Sequence, residues 1–344
     1  MIELTTGNLL EAPVEALVNT VNCVGVMGKG IALQFKQAYP DNFLFYQAAC
    51  ERGEVRLGQM LVYESAQMLG PRYIINFPTK NHWKDKSRLE DIEAGLVALL
   101  DEIKRRGIHS IALPPLGAGS GGLNWPEVRR RIERAFAPLA EVRVLLYEPH
   151  GAPVAEKMKV ATRRPAMTPG RAILLALLDS YAGPMYRLTM LEVQKLAYFA
   201  QVAGEQLKLN FAKQKYGPYA ETLHHVLQRM EGHFIRGYGD RSRPDVALRL
   251  LPGAVEEARA FLQGHADSLV RLEHVAQLIH GFETPYGMEL LATVHWVAQE
   301  DPAAKTNPEV AVRDVQAWSE HKRARFQPRH IQASWERLRE QGWL

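Results

Sequence analysis

The sequence predicts an α/β domain at the N-terminus followed by a mostly helical second domain. Three observations carry this reading. Short apolar runs alternate with amphipathic stretches as far as Tyr147. Glycine-rich loops follow apolar runs and lead into helices at two places. Beyond a stretch punctuated by proline and basic pairs, the pattern turns almost wholly helical. The chain has 344 residues, enough for two domains with full cores.

The elements follow in order. Ile2–Thr5 and Ala16–Asn19 are apolar runs bounded by turn residues, hence strands. Ile31–Tyr39 and Asn42–Arg52 read as helices, the second opened by Pro40-Asp41. Met60–Tyr63 and Tyr73–Phe77 read as strands. Leu89, Ile92, Leu96, Leu99, Leu100 and Ile103 share one helical face, so Arg88–Arg106 is an amphipathic helix that Gly107 stops. Ser110–Leu113 is a strand, Pro126–Phe136 a helix and Val142–Tyr147 the last strand. Such alternation implies a sheet covered by helices on both faces.

This gives a first domain over residues 1–150, a linker over 151–169 and a second domain over 170–344. The stretch Glu148–Pro169 holds Pro149, Gly151, Pro153, Pro165 and Pro169, with Lys157/Lys159 and Arg163/Arg164 between them. It is either a solvated connector or a strap that touches phosphate. Helical periodicity marks Ala172–Tyr181, Leu191–Leu207, Tyr219–Met230, Ala254–Leu262, Ser268–Gly281, Met288–Ala298, Pro308–Trp318 and Pro328–Gln341. Only Phe234–Tyr238 and Val246–Leu250 look like strands, as a hairpin around Gly239-Asp240.

Composition excludes several classes. Hydrophobic residues make up 47% and charged residues 23%, a soluble globular balance. The net charge of +4 permits a nucleic-acid partner without arguing for one. Cys23 and Cys50 cannot build a disulfide framework and fit a reducing, cytoplasmic setting. The opening MIELTTGNLL carries Glu3 and has no basic segment before an apolar run, so no signal peptide is expected. No uninterrupted apolar run of about 18 residues exists, so no membrane span is expected. His224-His225, His233, His265, His274, His280 and His295 lack any H-E-x-x-H or C-x-x-C spacing. Neither a metal nor a cofactor is expected.

The chemistry lies in three loops of the first domain. Gly7-Asn8-Leu9-Leu10 follows the first strand. Asn19–Gly30, containing Thr20, Asn22, Val26, Met27, Gly28 and Lys29, runs into the helix at Ile31. Pro114–Trp125, containing Pro115, Leu116, Gly117, Ala118, Gly119, Ser120 and Gly121, runs into another. Glycine lets backbone N–H groups approach phosphate oxygens, and a helix N-terminus adds its positive dipole end. Two such loops suit a diphosphate. Neither has Walker A spacing, and no acid follows the second at the distance a dinucleotide fold needs.

Gly7-Asn8-Leu9-Leu10, Val18–Asn22, Gly28–Ala32 and Pro115–Gly119 together resemble the macrodomain family. Asn76-Phe77-Pro78-Thr79-Lys80 is similar to the branch that holds terminal ADP-ribose-protein glycohydrolases and the DarG antitoxins. The resemblance implies an α/β/α sandwich with a mixed sheet that holds ADP-ribose across its strand ends. By that likeness Asn8 lies near the adenine, where many macrodomains carry Asp. The Gly25–Gly30 loop runs along the diphosphate and distal ribose, Asn22 faces that ribose, and Gly117–Gly121 clasps the diphosphate from the other side. Lys80 is the implied catalytic residue, a lysine that attacks the anomeric carbon as a neutral amine, with Asn22 beside it. Human-type members pair that lysine with an aspartate in the second loop, whereas this chain has Gly121. His82 is a replacement acid–base group or a plain surface residue. Trp83 and Lys84, with Lys86, are candidates to touch DNA by stacking and charge, or form a solvated loop.

The resemblance further implies hydrolysis of ADP-ribose from a thymine base of single-stranded DNA. Alternatives are a non-catalytic ADP-ribose-binding module and a hydrolase of a small ADP-ribose derivative. In the second domain, Leu196–Gln201 with Tyr216-Gly217-Pro218-Tyr219 resembles a helical family recurrent in bacterial antitoxins. In DarG proteins that region binds the toxin DarT, a DNA ADP-ribosyltransferase. Glu256-Glu257 and Glu336/Glu340 are a modest acidic set against Lys322, Arg323, Arg325 and Arg329, so DNA mimicry is not evident. Trp318, Trp335 and Trp343 are either partner anchors or core residues.

Overall fold

A computed structural model describes residues 1–65, 70–149, 158–182, 188–238 and 248–344. They divide into two compact units, one of residues Met1–Arg163 and one that begins at Arg164.

The first unit is built on β1 (Ile2–Thr5), β2 (Ala16–Asn22), β3 (Leu61–Glu64), β4 (Tyr73–Lys80), β5 (Ser110–Leu113) and β6 (Arg143–Tyr147). Its helices are α1 (Gly30–Ala38), α2 (Pro40–Glu51), α3 (Leu89–Arg106) and α4 (Trp125–Phe136). The strands form one sheet in the order β1-β6-β5-β2-β4-β3. All neighbours are parallel except β3, which runs antiparallel to β4 at the edge. Alternate residues of the strands face opposite layers. Val18, Ile75, Phe77, Ile111 and Leu146 pack on Ile92, Leu96 and Leu99 of α3 and Val128 and Ile132 of α4. Leu17, Ile74, Ala112 and Leu145 pack on Leu9, Leu10 and the Phe35 and Ala38 side of α1. Both faces are thus covered, which explains the near-continuous apolar runs of the central strands. The result is the expected α/β/α sandwich with a mixed sheet.

Gly107 ends α3 in the left-handed conformation, with φ of +61°. Asn124 caps α4 by accepting from the backbone N–H of Glu127 at 3.2 Å.

Two expectations need correction where the site lies. β2 runs on to Asn22, so Thr20–Asn22 belong to a strand and the loop begins at Cys23. β4 runs on to Lys80 rather than stopping at Phe77. The two strands extend together: Thr20 pairs Phe77 and Val21 pairs Pro78, then a register shift brings Asn22 opposite Lys80. Pro78 lacks an N–H to donate, and the irregularity falls beside it. Asn and Pro are weak strand formers, so the mutual pairing holds this end extended.

The second unit comprises α5 (Pro169–Tyr181), α6 (Met190–Val202), β7 (Ala212–Gln214), β8 (Gly217–Tyr219), α7 (Leu223–Met230), β9 (Ile235–Arg236) and β10 (Arg249–Leu250). It continues with α8 (Ala254–Leu262), α9 (Ala266–Ile279), α10 (Pro285–Glu300), α11 (Pro302–Thr306), α12 (Pro308–Ala317), α13 (Glu320–Arg325) and α14 (Pro328–Glu340). The strands Ile235–Arg236 and Arg249–Leu250 pair antiparallel as expected. The turn at Gly239-Asp240 and residues 246–247 lie outside the described residues, as do residues 150–157 of the linker. Of the described remainder of the linker, residues 158–163 belong to the first unit, with the Ala161 N–H on the Gln37 carbonyl at 2.7 Å, and the rest belongs to the second, where Arg164 pairs with Glu257 at 2.5 Å.

A second hairpin, β7–β8, was not expected, and it takes Tyr219 from the start of the following helix. Lys195 holds it: the buried ammonium donates to the Pro218 carbonyl at 2.6 Å. Gly217 has φ of +89°, and a Cβ there would sit 3.0 Å from Thr293 Oγ1. The Tyr216–Tyr219 motif is therefore a packing requirement. Trp335 and Trp343 are buried core residues, and Trp318 is half-buried against the same core. Both cysteines are free thiols. Among the described residues no helix is long and apolar enough to cross a membrane, and no three His, Cys, Asp or Glu converge as metal ligands.

Among the described residues, His224, His265, His274, His295 and His330 serve as hydrogen-bonding groups. His224 is bonded by the hydroxyls of Tyr219 and Tyr238. His295 is buried and shares a hydrogen bond with the Tyr198 hydroxyl at 2.8 Å. Burial, then Lys305, pushes its pKa from 6.5 down to about 4. The folded state thus binds fewer protons than the unfolded state between those values. Stability is complete above 6.5 and is lost as pH falls toward 4, by about 3 kcal/mol. Urea unfolding of the second unit at pH 7 and pH 4.5 checks this. His295→Gln, which keeps a partner for Tyr198, should flatten that dependence, and an unchanged slope would assign it elsewhere.

Candidate active site

The site forms where β2, β4 and β5 end. A buried asparagine set underlies it. Asn19 of β2 donates to Asn76 Oδ1 of β4 at 3.0 Å, and Asn76 and Asn42 of α2 exchange hydrogen bonds at 2.8 and 3.3 Å. All three side chains are fully buried. Asn19 also reaches Met27 Sδ at 3.8 Å, anchoring the first glycine loop from below. These buried amide bonds are directional, so they set one register and loop height where apolar packing would tolerate several, although the buried Asn19 Oδ1 is left without a partner.

The first glycine loop is organised by Asn22. Its Oδ1 accepts from the N–H groups of Val24 and Val26 at 3.0 and 3.4 Å, and its Nδ2 donates to the Val26 carbonyl at 2.6 Å. The Tyr46 hydroxyl adds bonds to the Asn22 carbonyl at 2.7 Å and to Oδ1 at 3.1 Å. Asn22 is only 6% exposed. The structure commits it to shaping the loop. Val24 and Val26 are left pointing to solvent, while Met27 is buried. At Gly30, φ is +59° and an added Cβ would meet nothing within 4 Å. Open space stands over the backbone at the head of α1, where the first N–H groups of a helix have no intrahelical acceptor.

The second loop behaves differently at its two ends. Gly119 faces open space, with Ala118 and Ser120 beside it. Gly117 and Gly121 are packed: a Cβ at Gly117 would sit 2.8 Å from Leu123 Cδ1. A Cβ at Gly121 would sit 2.3 Å from Ser87 Oγ and 2.4 Å from the Gly117 carbonyl. The Ser87 N–H donates to the Gly121 carbonyl at 3.1 Å, locking the loop to the segment after β4. Leu116 is buried and Pro115 half-buried beneath. No carboxylate can occupy Gly121 here, which gives the expected departure a steric reason.

Lys80 ends β4 between the two loops. Its ammonium donates to the Ser120 carbonyl of the second loop at 3.2 Å and to the Asp85 carbonyl at 3.0 Å. The Cys23 N–H of the first loop donates to the Asn81 carbonyl at 2.9 Å. Partial burial, then Lys29 and Lys86, hold the Lys80 pKa below the ordinary lysine value, and Asp85 opposes them. The segment after Lys80 is folded on itself. The His82 N–H donates to Asp85 Oδ2 at 2.9 Å, and His82 Nδ1 accepts from the Lys84 N–H at 3.3 Å. His82 thus braces a turn. Trp83 is 43% exposed, with the Lys84 ammonium 4.8 Å from its ring centre.

Near β1, Gly7 has φ of +108° and is open to solvent. Asn8 Oδ1 accepts from the Leu10 N–H at 3.1 Å, capping the turn at Leu9. Its buried Nδ2 has no partner, a donor available to a ligand acceptor. Ile31 is half-buried on α1. The three loops follow the carboxyl ends of β1, β2 and β5, which run parallel within one sheet. Sequence reasoning missed Tyr46, Asn42 and Ser87, and the hydrogen bonding that joins Asn19, Asn42 and Asn76. Asn19 and Asn76 belong to the motifs that carry the resemblance, but nothing in the sequence marks Tyr46 or Ser87.

The macro domain family matches residues 18–132. A DNA ADP-ribosyl glycohydrolase of Thermus aquaticus is 50% identical over 344 residues, 100% of this chain and 94% of the relative. The macrodomain of Mycobacterium tuberculosis DarG, a solved structure, is 54% identical over 44% of this chain and 99% of its own, with a TM-score of 0.43. A DNA ADP-ribosyl transferase–DNA ADP-ribosyl glycohydrolase fusion protein of Thermosipho africanus is 34% identical over 163 residues, 43% of this chain and 42% of the fusion. Half of all positions are shared with the Thermus aquaticus protein from end to end, and the chain belongs to the DarG family of DNA ADP-ribosyl glycohydrolases.

Proposed function

We propose that the protein hydrolyses ADP-ribose from a thymine base of single-stranded DNA, with Lys80 as nucleophile. The observation that supports this most directly is the contact of the Lys80 ammonium with the Ser120 carbonyl, which sets the amine beside the second loop. Backbone N–H groups of Gly25–Gly30 and Gly117–Gly121 hold the diphosphate from two sides. The neutral Lys80 amine donates its lone pair to the anomeric carbon, forming an N–C bond. The base leaves with the electrons of the N-glycosidic bond, and water then releases ADP-ribose and regenerates the lysine. Asn22 acts by holding the first loop, as its hydrogen bonds suggest. Gly7, Asn8, Leu9 and Ile31 line the adenosine side, with Asn8 Nδ2 as the free donor.

Single-stranded DNA carrying ADP-ribose on thymine tests this, followed by gel and mass. Release by the wild type is expected. Tight binding of free ADP-ribose without release would favour a non-catalytic reader, the reading that the lack of a carboxylate at Gly121 supports. Trp83 and Lys84 contact the strand next to the modified base. Trp83→Ala should raise the KM for the DNA substrate by about tenfold, the cost of one lost stacking contact. An unchanged KM would remove Trp83 from the interface.

The second unit binds and neutralises the cognate DarT toxin. The fusion protein of Thermosipho africanus supports the link, since its name places transferase and glycohydrolase on one chain. A chain ending at Arg163 is expected to lose toxin capture and keep ADP-ribose binding. Undiminished capture by that truncated chain would assign the toxin contact to the first unit.

A further inference from the structure

We propose that Lys86 and Lys29 are positioning residues that act through Lys80, as unpaired cations whose repulsion favours the free amine that the attack requires. This rests on the proposed role of Lys80. The groups come from three segments. Lys29 stands at the head of α1, at the end of the first loop. Lys86 comes from the segment after β4, and its ammonium would lie 3.2 Å from a Cβ at Gly122. That places it one residue from Gly121, which binds the Ser87 N–H, and two from Ser120, which receives Lys80. Lys80 and Lys86 thus reach the same short loop.

Among the described residues, no carboxylate pairs within ion-pair distance with Lys29, Lys80 or Lys86. The acid that faces Lys80 is Asp85, and its Oδ2 is engaged by the His82 N–H. Neither Gly121 nor Gly122 offers another. Lys84 lies over Trp83, and Arg88 pairs with Glu90 and Asp91. The direction of the Lys80 shift agrees: burial contributes most, then Lys29, then Lys86. Two like charges at one loop, with a third at the end of the first loop, raise the cost of protonating the most buried of them. Lys80 is the one that is partly buried. Only its uncharged form has the lone pair that makes the N–C bond, so a lower proton affinity raises the reactive fraction at neutral pH.

The test is the pH dependence of kcat on ADP-ribosylated thymine oligonucleotide, for wild type, Lys86→Met, Lys29→Met and Lys86→Arg. Wild-type activity should fall on the acid side as Lys80 gains its proton. Removing one cation should move that limb up by about half to one pH unit. The rate of Lys86→Met on the limb then drops about three- to tenfold and recovers at high pH. Lys86→Arg, which keeps the charge, should keep the wild-type limb. A titration of Lys80 in protein labelled with 13C at lysine Cε, assigned by loss of the signal in Lys80→Arg, should show the same displacement without turnover. A limb unmoved in both Met variants, or a drop uniform at every pH, overturns the inference. An inactive wild type, or an active Lys80→Ala, sinks the proposed function and this inference with it. An active wild type with a dead Lys80→Ala and unmoved limbs sinks this inference alone.

Discussion

Lys80→Ala is expected to lower release of ADP-ribose from DNA by about 10³-fold or more, while free ADP-ribose still binds. The two effects separate because different atoms carry them. Binding is assigned to the backbone N–H groups of the two loops, and their shape depends on Asn22, Tyr46 and the asparagine set. None of those contacts involves the Lys80 ammonium. Its two acceptors, the carbonyls of Asp85 and Ser120, are exposed at the rim and regain water when the side chain goes. Covalent chemistry, in contrast, loses the amine that the proposed attack uses. Lys80→Arg discriminates further. A guanidinium keeps the charge and stays protonated, so it cannot attack. If the arginine variant releases ADP-ribose at the wild-type rate, the role is electrostatic and the nucleophilic scheme is wrong. Single-turnover release on a gel gives the rate, and calorimetry with free ADP-ribose gives the affinity.

Gly121→Asp should abolish binding and destabilise the first unit. Restoring the carboxylate that human-type members carry sounds like a gain of catalysis, but the packing forbids it. The new Cβ would stand 2.3 Å from Ser87 Oγ and 2.4 Å from the Gly117 carbonyl. One of these is backbone, in a loop whose Gly117 N-terminal to it already has φ of +65° and no room for a side chain. Relief requires breaking the Ser87–Gly121 hydrogen bond and opening the loop. We expect ADP-ribose affinity to fall by at least about 10²-fold, since a loop displaced by an ångström loses its aimed donors. Overpacking should cost the first unit about 2–3 kcal/mol in urea unfolding. Wild-type affinity in this variant would show that the loop is not packed against Ser87 as described.

Much of the architecture was readable because it depends on local pattern. The face of α3 shared by Ile92, Leu96, Leu99 and Ile103 is a matter of helical period, and so is its stop at Gly107. The strands Ser110–Leu113 and Tyr73–Phe77 are apolar runs of the length a covered sheet needs. The loop glycines stand between strand and helix, where the physics of phosphate binding applies whatever the exact geometry. In the second unit the same period located the long helices, whereas the β7–β8 hairpin was missed. Its strands are too short for alternation to register, and they are held by Lys195 from a distant helix.

Lys80 came to notice through the resemblance to the macrodomain family; by itself the sequence determined the class of both units and the three loops. Those depend on periodicity and on residue types at fixed spacing. Only the tertiary structure decided which glycines face open space and which are packed, since that depends on what comes near them from elsewhere. Gly119 and Gly121 are two residues apart and indistinguishable in sequence, yet one is open and the other is closed by Ser87. The same holds for Lys80. Its contact with Ser120 joins positions forty apart in the chain, and its company with Lys29 and Lys86 joins three segments. Such proximities come from the pairing of β2 with β4 and the turn that follows, so no local pattern could have encoded them.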